Sequence, residues 1–247
     1  NNLPYLLKHK GSRRGIYALM ACYGIPSSNL SIFEFGGPNI DTSKTSGKLE
    51  MENLTYLLNF TNGSSIKTEW KNTLYGRKPD TIEVFIKPEY AQNAKIISGS
   101  GWNLQISGSV NSQYGKVIYN FLENNTVEFV SSSFLPIFNG KQFGIKLARK
   151  KDAAVYSLLN VYQADNNSFI FKEDIDIYET SNSNWDSGSY ISLGNDYVGS
   201  VDEFRLWNTV LNSSSFAEHN LFPEMINGNH FSSSTDDLCF RLDFEYL

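Results

Sequence analysis

From residue 81 onward, the sequence consists of short segments in which apolar and polar residues alternate, and this pattern restricts the fold more than any other feature. In the segment TIEVFIKP, for example, Ile82, Val84 and Ile86 alternate with Glu83 and Lys87. Successive side chains on a strand point to opposite faces, so this alternation is typical of a strand with one buried face. Pairs such as Asn-Gly, Asn-Asn and Ser-Gly separate the segments, as turns do. The sequence therefore predicts a mainly β fold, an antiparallel sandwich or barrel.

Further segments with the same character follow along the chain. They are AKIISGSGWNLQISG, which is predicted to form two strands around a turn, then GKVIYNF, NTVEFVSSS, KQFGIKLAR, YSLLNVYQA, SFIFKEDIDIY and SYISLGN. The last segment, DDLCFRLDFEYL, alternates again and is either a closing strand or the first strand of a following domain. We therefore expect a helical adaptor segment with a connecting strand at 1–37, the sandwich at 38–228 and this last strand at 229–247.

The clearest helix signal lies near the start of the chain. Four apolar residues follow the spacing i, i+3, i+4 and i+7 and form one stripe, namely Ile16, Leu19, Met20 and Tyr23. Ser12 suits the N-cap, and Gly24 and Pro26 mark the end. A helix of this length cannot bury its stripe alone, so the stripe is predicted to dock on the β domain or on another protein, with a neighbouring subunit favoured. A second helical turn is predicted where Ser215 and Glu218 form a capping-box pattern.

Composition excludes several classes of function. The net charge of −5 argues against general nucleic-acid binding, and no apolar run approaches the roughly 20 residues that span a bilayer. Cys22 and Cys239 lie near opposite ends and provide no disulfide framework, while the three histidines are too scattered for a zinc site. The start of the chain has no signal-peptide pattern. We expect no cofactor, no nucleic-acid partner and no membrane insertion.

The acidic pair Asp202-Glu203 precedes an aromatic strand and is the most conspicuous candidate for chemistry. Strict alternation places Asp202 on the face of Leu206. Glu203 then falls on the other face, with Arg205 and Trp207. Carboxylates on opposite faces of a sheet cannot act on one bond, so we expect no acid–base pair here. The predicted role is structural, with an ion pair between Glu203 and Arg205.

The same region carries the clearest resemblance to a known family. The segment Ile191-Ser-Leu-Gly194 is followed by a loop and then by GSVDEFRLWNTVL. This resembles the pattern G-x-I-D-E-V-R-I-W-N-r-x-L of concanavalin A-like, laminin-G-like domains, and the resemblance covers residues 81–219, more than half of the chain. It implies a jelly-roll sandwich of two antiparallel sheets, one of them concave. Because lectins, enzymes and inert spacers all use this fold, the resemblance implies no particular ligand.

A second resemblance lies at the N-terminus. The segment LPYLLKHKGSRRGIYALMACYGIP is similar to the pattern L-L-x-x-K-G-T-x-R-x-I-x-x-L-l-x-x-Y-G-I-P of structural proteins in tailed-bacteriophage tails, baseplates and appendages. Ser12 replaces the usual Thr, and the matching residues are Leu6, Leu7, Lys10, Gly11, Arg14, Ile16, Leu19, Tyr23, Gly24, Ile25 and Pro26. The resemblance implies a virion protein that contacts other virion structural proteins. The absent signal peptide and disulfides fit its assembly in the host bacterial cytoplasm.

A lectin-like domain in this setting implies contact with host surface glycans. Lectin-type sites stack an aromatic ring on a sugar and add a few polar groups, and the aromatic residues in predicted polar loops are Trp102, Trp185 and Tyr197. The alternative is that these rings pack on the edge of the sandwich. The laminin-G-like resemblance also implies a calcium ion at a rim, for which the candidate ligands are Asp186, Asn195 and Asp196. Turns use Asp and Asn as well, and no ligand set with calcium spacing is present.

Some polysaccharide hydrolases on this fold carry carboxylates on one concave strand, in patterns such as E-x-D-x-x-E. The nearest segment here is KEDIDIYE, in which Asp174 and Asp176 share a face. Their backbone separation of about 7 Å and their short side chains suit a retaining pair poorly. We therefore expect a non-enzymatic structural and interaction protein of a tailed-bacteriophage virion. The alternatives are a carbohydrate-binding module that is secreted or on a bacterial surface, and a polysaccharide hydrolase.

Overall fold

The computed structural model describes residues 6, 8–10, 13–24, 57–70, 78–109, 112–123, 126–150, 156–165, 168–178, 184–223, 225–229 and 237–242. The chain divides into two compact units, Asn1–Glu52 and Asn53–Leu247. The predicted boundary after residue 37, the predicted connecting strand, Ser12 and Pro26 all lie outside the described residues. Within the described part of the chain, no helix is long and apolar enough to cross a membrane.

In the first unit, helix α1 spans Arg13–Cys22 and confirms the helix predicted there. The backbone N–H groups of Tyr23 and Gly24 donate to carbonyl oxygens in the last turn of this helix. Gly24 has a φ of +80°. Glycine adopts this left-handed conformation without strain, and a residue in it commonly ends a helix. Gly24 therefore ends the helix as the sequence predicts.

The second unit consists mainly of β-strands. Those in the described residues are β1 (Leu58–Phe60), β2 (Ser65–Glu69), β3 (Thr81–Pro88), β4 (Ala94–Ser98), β5 (Trp102–Gly108), β6 (Gly115–Glu123), β7 (Thr126–Ser131), β8 (Phe143–Lys150), β9 (Tyr156–Asp165), β10 (Ser168–Tyr178), β11 (Tyr190–Gly194), β12 (Gly199–Trp207) and β13 (Leu238–Leu242). Helix α2 spans Ser213–Leu221, and a single 3₁₀ turn spans Asn184–Asp186. The alternating segments of the sequence therefore coincide with strands.

The strands form two antiparallel sheets. In the seven-stranded sheet the order is β1–β12–β3–β8–β9–β10, and β13 also pairs with β12. In the six-stranded sheet the order is β2–β11–β4–β5–β6–β7. Strand β1 pairs with the first part of β12, and β13 pairs with its last part. The fold is a mainly β, two-sheet antiparallel sandwich consistent with a jelly roll, which confirms the predicted fold class.

The two sheets enclose one apolar core. Ile82, Val84 and Ile86 of β3 lie in this core, as their alternation predicts, and apolar residues of β5 and β6 join it from the other sheet. A smaller aromatic cluster lies on the outer side of the seven-stranded sheet, where α2 packs on β8 and β9. Its buried members are Phe85, Tyr162, Trp207, Leu211 and Phe216. Helix α2 therefore covers part of one sheet and gives that sheet a second buried face.

The start of α2 differs from the capping box that the sequence predicts. The side chain of Asn212 accepts a hydrogen bond from the backbone N–H of Ser215 at 2.6 Å, so Asn212 is the N-cap. Ser215 lies inside the helix, where its hydroxyl donates to the carbonyl oxygen of Gly228. Both residue types are good N-caps. Asn212 occupies the position from which its side chain reaches the free N–H groups of the first turn.

Strand β12 departs from strict alternation at the acidic pair. Asp202 pairs with Phe85, but the next paired residues are Arg205 and Glu83, so β12 has one residue more than β3 across this interval. Glu203 has a φ of +48°, which is uncommon for a residue with a side chain. An extra residue of this kind is a β-bulge, and it changes which side chains face the core beyond it.

The bulge changes the faces that strict alternation assigns to the residues of β12. Val201 lies in the inter-sheet core together with Phe204 and Leu206, whereas strict alternation places it on the opposite face. Asp202 pairs with a residue of the outer aromatic cluster and does not share the core face of Phe204 and Leu206. The prediction of opposite faces for the two carboxylates is therefore wrong, because one inserted residue shifts the alternation.

Candidate functional site

A row of polar side chains crosses the outer side of the seven-stranded sheet, partly beneath α2. The strand register places these residues side by side on six neighbouring strands. In strand order the row is Arg241, Arg205, Glu83, Lys146, Asn160 and Asp174. Because the central members are fully buried, each charge requires a partner of opposite sign or a strong hydrogen bond.

Glu83 is the centre of this row. One carboxylate oxygen lies 2.8 Å from Nδ1 of His219, and the other accepts from Nε1 of Trp207 at 3.0 Å and lies 3.6 Å from Nη1 of Arg205. Nε2 of His219 faces the carbonyl oxygen of Asn227 at 2.9 Å. Both ring nitrogens of His219 thus face hydrogen-bond acceptors. Burial raises the pKa of Glu83, but the charges of His219 and Arg205 hold it below its ordinary value overall.

Glu203 is also enclosed by cations. Its carboxylate lies 2.8 Å from Nη2 of Arg205 and accepts from Nε of Arg241 at 2.7 Å. The neighbouring Asp202 is 3% exposed. Burial, and then the charge of Glu203, raise its pKa to about 6. The acidic pair thus lies on the closed outer side of the sheet, and the arginines are positioned to neutralise Glu203, which supports the predicted ion pair with Arg205.

At the far end of the row, Asp174 lies on the exposed side of β10. Its carboxylate accepts hydrogen bonds from the hydroxyl of Tyr162 and from Nδ2 of Asn160. Burial raises the pKa of Tyr162, and its hydrogen bond to Asp174 raises it further. Asp176, the other acidic residue of the predicted face, is exposed as well. Asp174 therefore acts as an acceptor that orients its neighbours, and Lys172 covers Tyr162 with its ammonium group 4.8 Å from the ring centroid.

The three aromatic residues that the sequence suggests for glycan stacking are buried. Trp102 and Trp185 stack with ring centroids 5.3 Å apart, and Trp70 packs against both. Nε1 of Trp185 donates to the carbonyl oxygen of Pro79. Tyr197 is buried, and its hydroxyl donates to the backbone of the following strand. None of the three presents a ring face to solvent, so the expectation of exposed stacking rings is corrected: all three rings belong to the core between the sheets.

The predicted calcium ligands do not converge. Asp186 lies in the 3₁₀ turn, and its carboxylate pairs with the buried guanidinium of Arg149. Asn195 and Asp196 are adjacent and exposed, and Asn195 has a φ of +89° in a turn closed by backbone hydrogen bonds to residues 63 and 64. Among the residues that the structure describes, no group of three His, Cys, Asp or Glu side chains could hold a metal ion. Calcium binding remains a prediction.

The apolar stripe of α1 faces outward in the first unit. Tyr23 is 79% exposed, Ile16 and Leu19 are also exposed, and Met20 is half-buried. Large apolar side chains with this exposure on one side of a short helix are unfavourable in water. The residues predicted to dock on a partner thus lie together on the exposed side of α1.

The outer side of the six-stranded sheet carries a second polar row, which lies apart from the sites predicted from the sequence. Its register partners on β7, β6, β5, β4, β11 and β2 are Phe129, Asn120, Asn103, Ser98, Ser192 and Lys67. A neighbouring row on β6, β5 and β4 consists of Ile118, Gln105 and Lys95. We call these two rows, together with Tyr190, the outer polar face. It spans about 24 Å from β7 to β2, at about 4.8 Å per strand.

Two asparagines lie at the centre of the outer polar face. Nδ2 of Asn120 donates to Oδ1 of Asn103 at 2.9 Å. Each residue is only half-buried, so the remaining amide groups can reach solvent. An exposed aromatic ring lies toward each end of the face, since Phe129 is 66% and Tyr190 59% exposed. The face thus combines amide donors and acceptors with accessible rings.

The signal for this face is present in the sequence, but only in part. In WNLQISG the buried residues alternate with half-buried polar ones, so the outward side of β5 is legible from the pattern. The strand order that joins it to β6, β4 and β11 is not legible, because pairing between distant segments depends on tertiary packing. Phe129, the aromatic residue at the edge of the row, belongs to β7. The sequence of this strand does not distinguish its outward side from that of other exposed strands.

Comparisons with known proteins give partial likenesses. No family model matches this chain. No curated protein matches it either. Among solved structures, the LG1-3 region of the laminin alpha2 chain is similar over 62% of this chain and 31% of that chain, with a TM-score of 0.44 and 14% identity. The CBM2 module of the evolved Dit of Lactobacillus casei BL23 phage J-1 is similar over 58% of this chain and 70% of that chain, with a TM-score of 0.36 and 8% identity. The chain thus spans about a third of the laminin region that it resembles.

Proposed function

We propose that this protein is a non-enzymatic structural and interaction protein of a tailed-bacteriophage virion, part of the tail, the baseplate or an appendage. Its sandwich contacts host surface glycans through the outer polar face, and the stripe of α1 docks on a neighbouring virion subunit. The outer polar face is the observation that carries the glycan-binding part of this proposal. The N-terminal sequence resemblance and the exposed stripe of α1 support the virion part.

The chemistry of the outer polar face suits a sugar. Sugar hydroxyls both donate and accept hydrogen bonds, and the amide of Asn or Gln offers both functions on one rigid group. Within the described residues, Nδ2 of Asn103 and Oδ1 of Asn120 have no hydrogen-bond partner, so a donor and an acceptor are available on neighbouring strands. Phe129 and Tyr190 supply exposed rings on which the C–H face of a sugar can pack.

The state of the acidic residues supports a binding role without turnover. Glu83 is fully buried and paired with His219 of α2, and Glu203 is 2% exposed and paired with arginines, so neither carboxylate is accessible to a substrate. Asp174 is exposed but is the acceptor of two hydrogen bonds from its own sheet. A retaining hydrolase requires one of two opposed carboxyl groups to donate a proton while the other attacks, and the described residues present no enclosed pair of that kind.

The glycan-binding part is tested with the double variant Asn103→Ala/Asn120→Ala. A net contribution of about 1 kcal/mol per hydrogen bond predicts about 30-fold weaker binding to the surface polysaccharide of a susceptible host. Ile170→Ala is the control, because Ile170 is exposed on β10 of the other sheet, and this variant should bind normally. Equal binding by wild type and by the double variant contradicts the proposal.

The virion part is tested by mass spectrometry of purified virions, in which this chain should be present at a fixed copy number. Its absence from virions, together with glycan binding by the isolated protein, would favour a secreted or cell-surface module. Turnover of the bound polysaccharide that Asp174→Asn or Asp176→Asn abolishes would favour a hydrolase. Truncation of the α1 stripe with Leu19→Ala and Tyr23→Ala should weaken incorporation into particles and leave glycan binding unchanged.

A further inference from the structure

Three lysines cross the outer side of the six-stranded sheet on one diagonal. Lys67 on β2 shares the row of Asn103, Lys95 on β4 pairs with Gln105, and Lys116 on β6 pairs with Ser107. Each step of the diagonal crosses two strand spacings, about 10 Å, and advances two residues, about 7 Å, so neighbouring lysines are about 12 Å apart. The bulge in β4 keeps Lys95 in line with the other two, because it restores the outward direction after the extra residue.

This diagonal is a local concentration of positive charge in an acidic protein. The chain has a net charge of −5, yet the outward side chains that the structure describes on β2, β4 and β6 include three lysines and one carboxylate, that of Glu69. Within the described part of the chain, none of the three ammonium groups forms a salt bridge. Lys116 lies 4.6 Å from the ring centroid of Phe134, so its ammonium group makes a cation–π contact there. A separation of about 12 Å exceeds the screening length at physiological salt, so the three charges repel one another weakly.

We propose that the outer polar face selects anionic polysaccharides, whose acidic groups pair with Lys67, Lys95 and Lys116 while the central amides bind hydroxyls. This inference rests on the proposed glycan-binding function and adds the charge class of the ligand. An extended chain that lies along the diagonal meets a lysine about every 12 Å, with Gln105 and Asn103 close to its path. A neutral chain can accept hydrogen bonds from the lysines but forms no ion pair with them, so the difference in affinity between acidic and neutral chains measures the contribution of the ion pairs.

The experiment compares alginate, a polyuronate, with dextran, a neutral polysaccharide, at low and at high salt. The test variant is Lys67→Gln/Lys95→Gln/Lys116→Gln. The control variant is Lys87→Gln/Lys141→Gln/Lys172→Gln, which removes the same charge from strands and a loop of the seven-stranded side. We expect wild type to bind alginate more tightly than dextran, with an affinity that falls as salt rises. The test variant should lose about tenfold or more in alginate affinity, and the control should lose about twofold or less.

Each alternative outcome has a distinct meaning. If alginate and dextran bind equally and the test variant is unchanged, the charge selection is overturned while the glycan-binding function stands. If wild type binds neither of these nor the host polysaccharide, both proposals are overturned. If duplex DNA binds as tightly as alginate and the test variant loses both, the lysines attract any polyanion and glycan selection by charge is overturned. Circular dichroism confirms that both triple variants are folded before binding is compared.

Discussion

Asp202 should make the sandwich less stable as pH rises, which is opposite to the effect of most carboxylates in folded proteins. Burial and the charge of Glu203 raise its pKa from 3.8 to about 6. Between these two values the folded chain binds more protons than the unfolded chain, so the free energy of unfolding falls as pH increases through this window. A pKa difference of this size corresponds to about 3 kcal/mol in the free energy of unfolding. This contribution is lost completely once the pH exceeds the pKa of the folded state.

The substitution Asp202→Asn removes the charge and keeps the shape of the side chain. Oδ2 of Asp202 has no hydrogen-bond partner among the described residues, so the amide leaves that position without a partner as well. We therefore expect a gain of about 2 kcal/mol at neutral pH, somewhat less than the full cost of the buried charge, because solvent relaxation reduces that cost. As the pH falls toward the ordinary pKa of aspartate, residue 202 is neutral in both folded proteins. The gain in stability of the variant should therefore decrease.

Urea unfolding followed by tryptophan fluorescence measures this effect near pH 7 and near pH 4. The variant should have the higher midpoint near pH 7 and a similar midpoint near pH 4. Asp196→Asn is the matched control, because Asp196 is exposed, and its midpoint should follow wild type at both pH values. A variant that is less stable than wild type at both, or more stable by the same amount at both, would refute the reasoning.

Three other substitutions test the packing of the sandwich. Glu203→Ala leaves the guanidinium of Arg205 buried without its strongest partner and should cost about 3 kcal/mol in urea unfolding, whereas an exposed pair would cost less than about 1 kcal/mol. Gly194→Ala places a Cβ 2.4 Å from the ring of Phe60 at a φ of +90°, so it should cost about 2 kcal/mol or more and lower the thermal midpoint. Asn212→Ala removes the N-cap of α2 and should cost about 1 kcal/mol, while Asn212→Asp should retain most of the stability.

The fold class follows from the sequence because its cause is local. Alternation over five to ten residues determines which side of a strand is apolar, and that pattern is legible wherever one face is buried. The bulge at Glu203 is not legible, because no glycine or turn residue marks it and the arginines that surround the carboxylate come from the same strand and from the distant β13. The burial of Trp102 and Trp185 is likewise a tertiary result: a polar loop predicts an exposed ring, but the indole groups fit between the sheets.

The location of the candidate site depends on α2 more than on either sheet. In sequence, the outward residues of both sheets look alike, since Glu83 in TIEVFIKP and Asn103 in WNLQISG occupy equivalent positions of alternating strands. In the structure, α2 and its flanking segments enclose Glu83 with His219. The central side chains of that polar row therefore pair with one another inside the protein. Helix α2 packs on β8 and β9 of that sheet, whereas the amides of Asn103 and Asn120 on the other sheet remain half-buried. The acidic motif Asp202-Glu203 lies on this closed face, and its sequence does not reveal the closure, because α2 follows the motif in the chain.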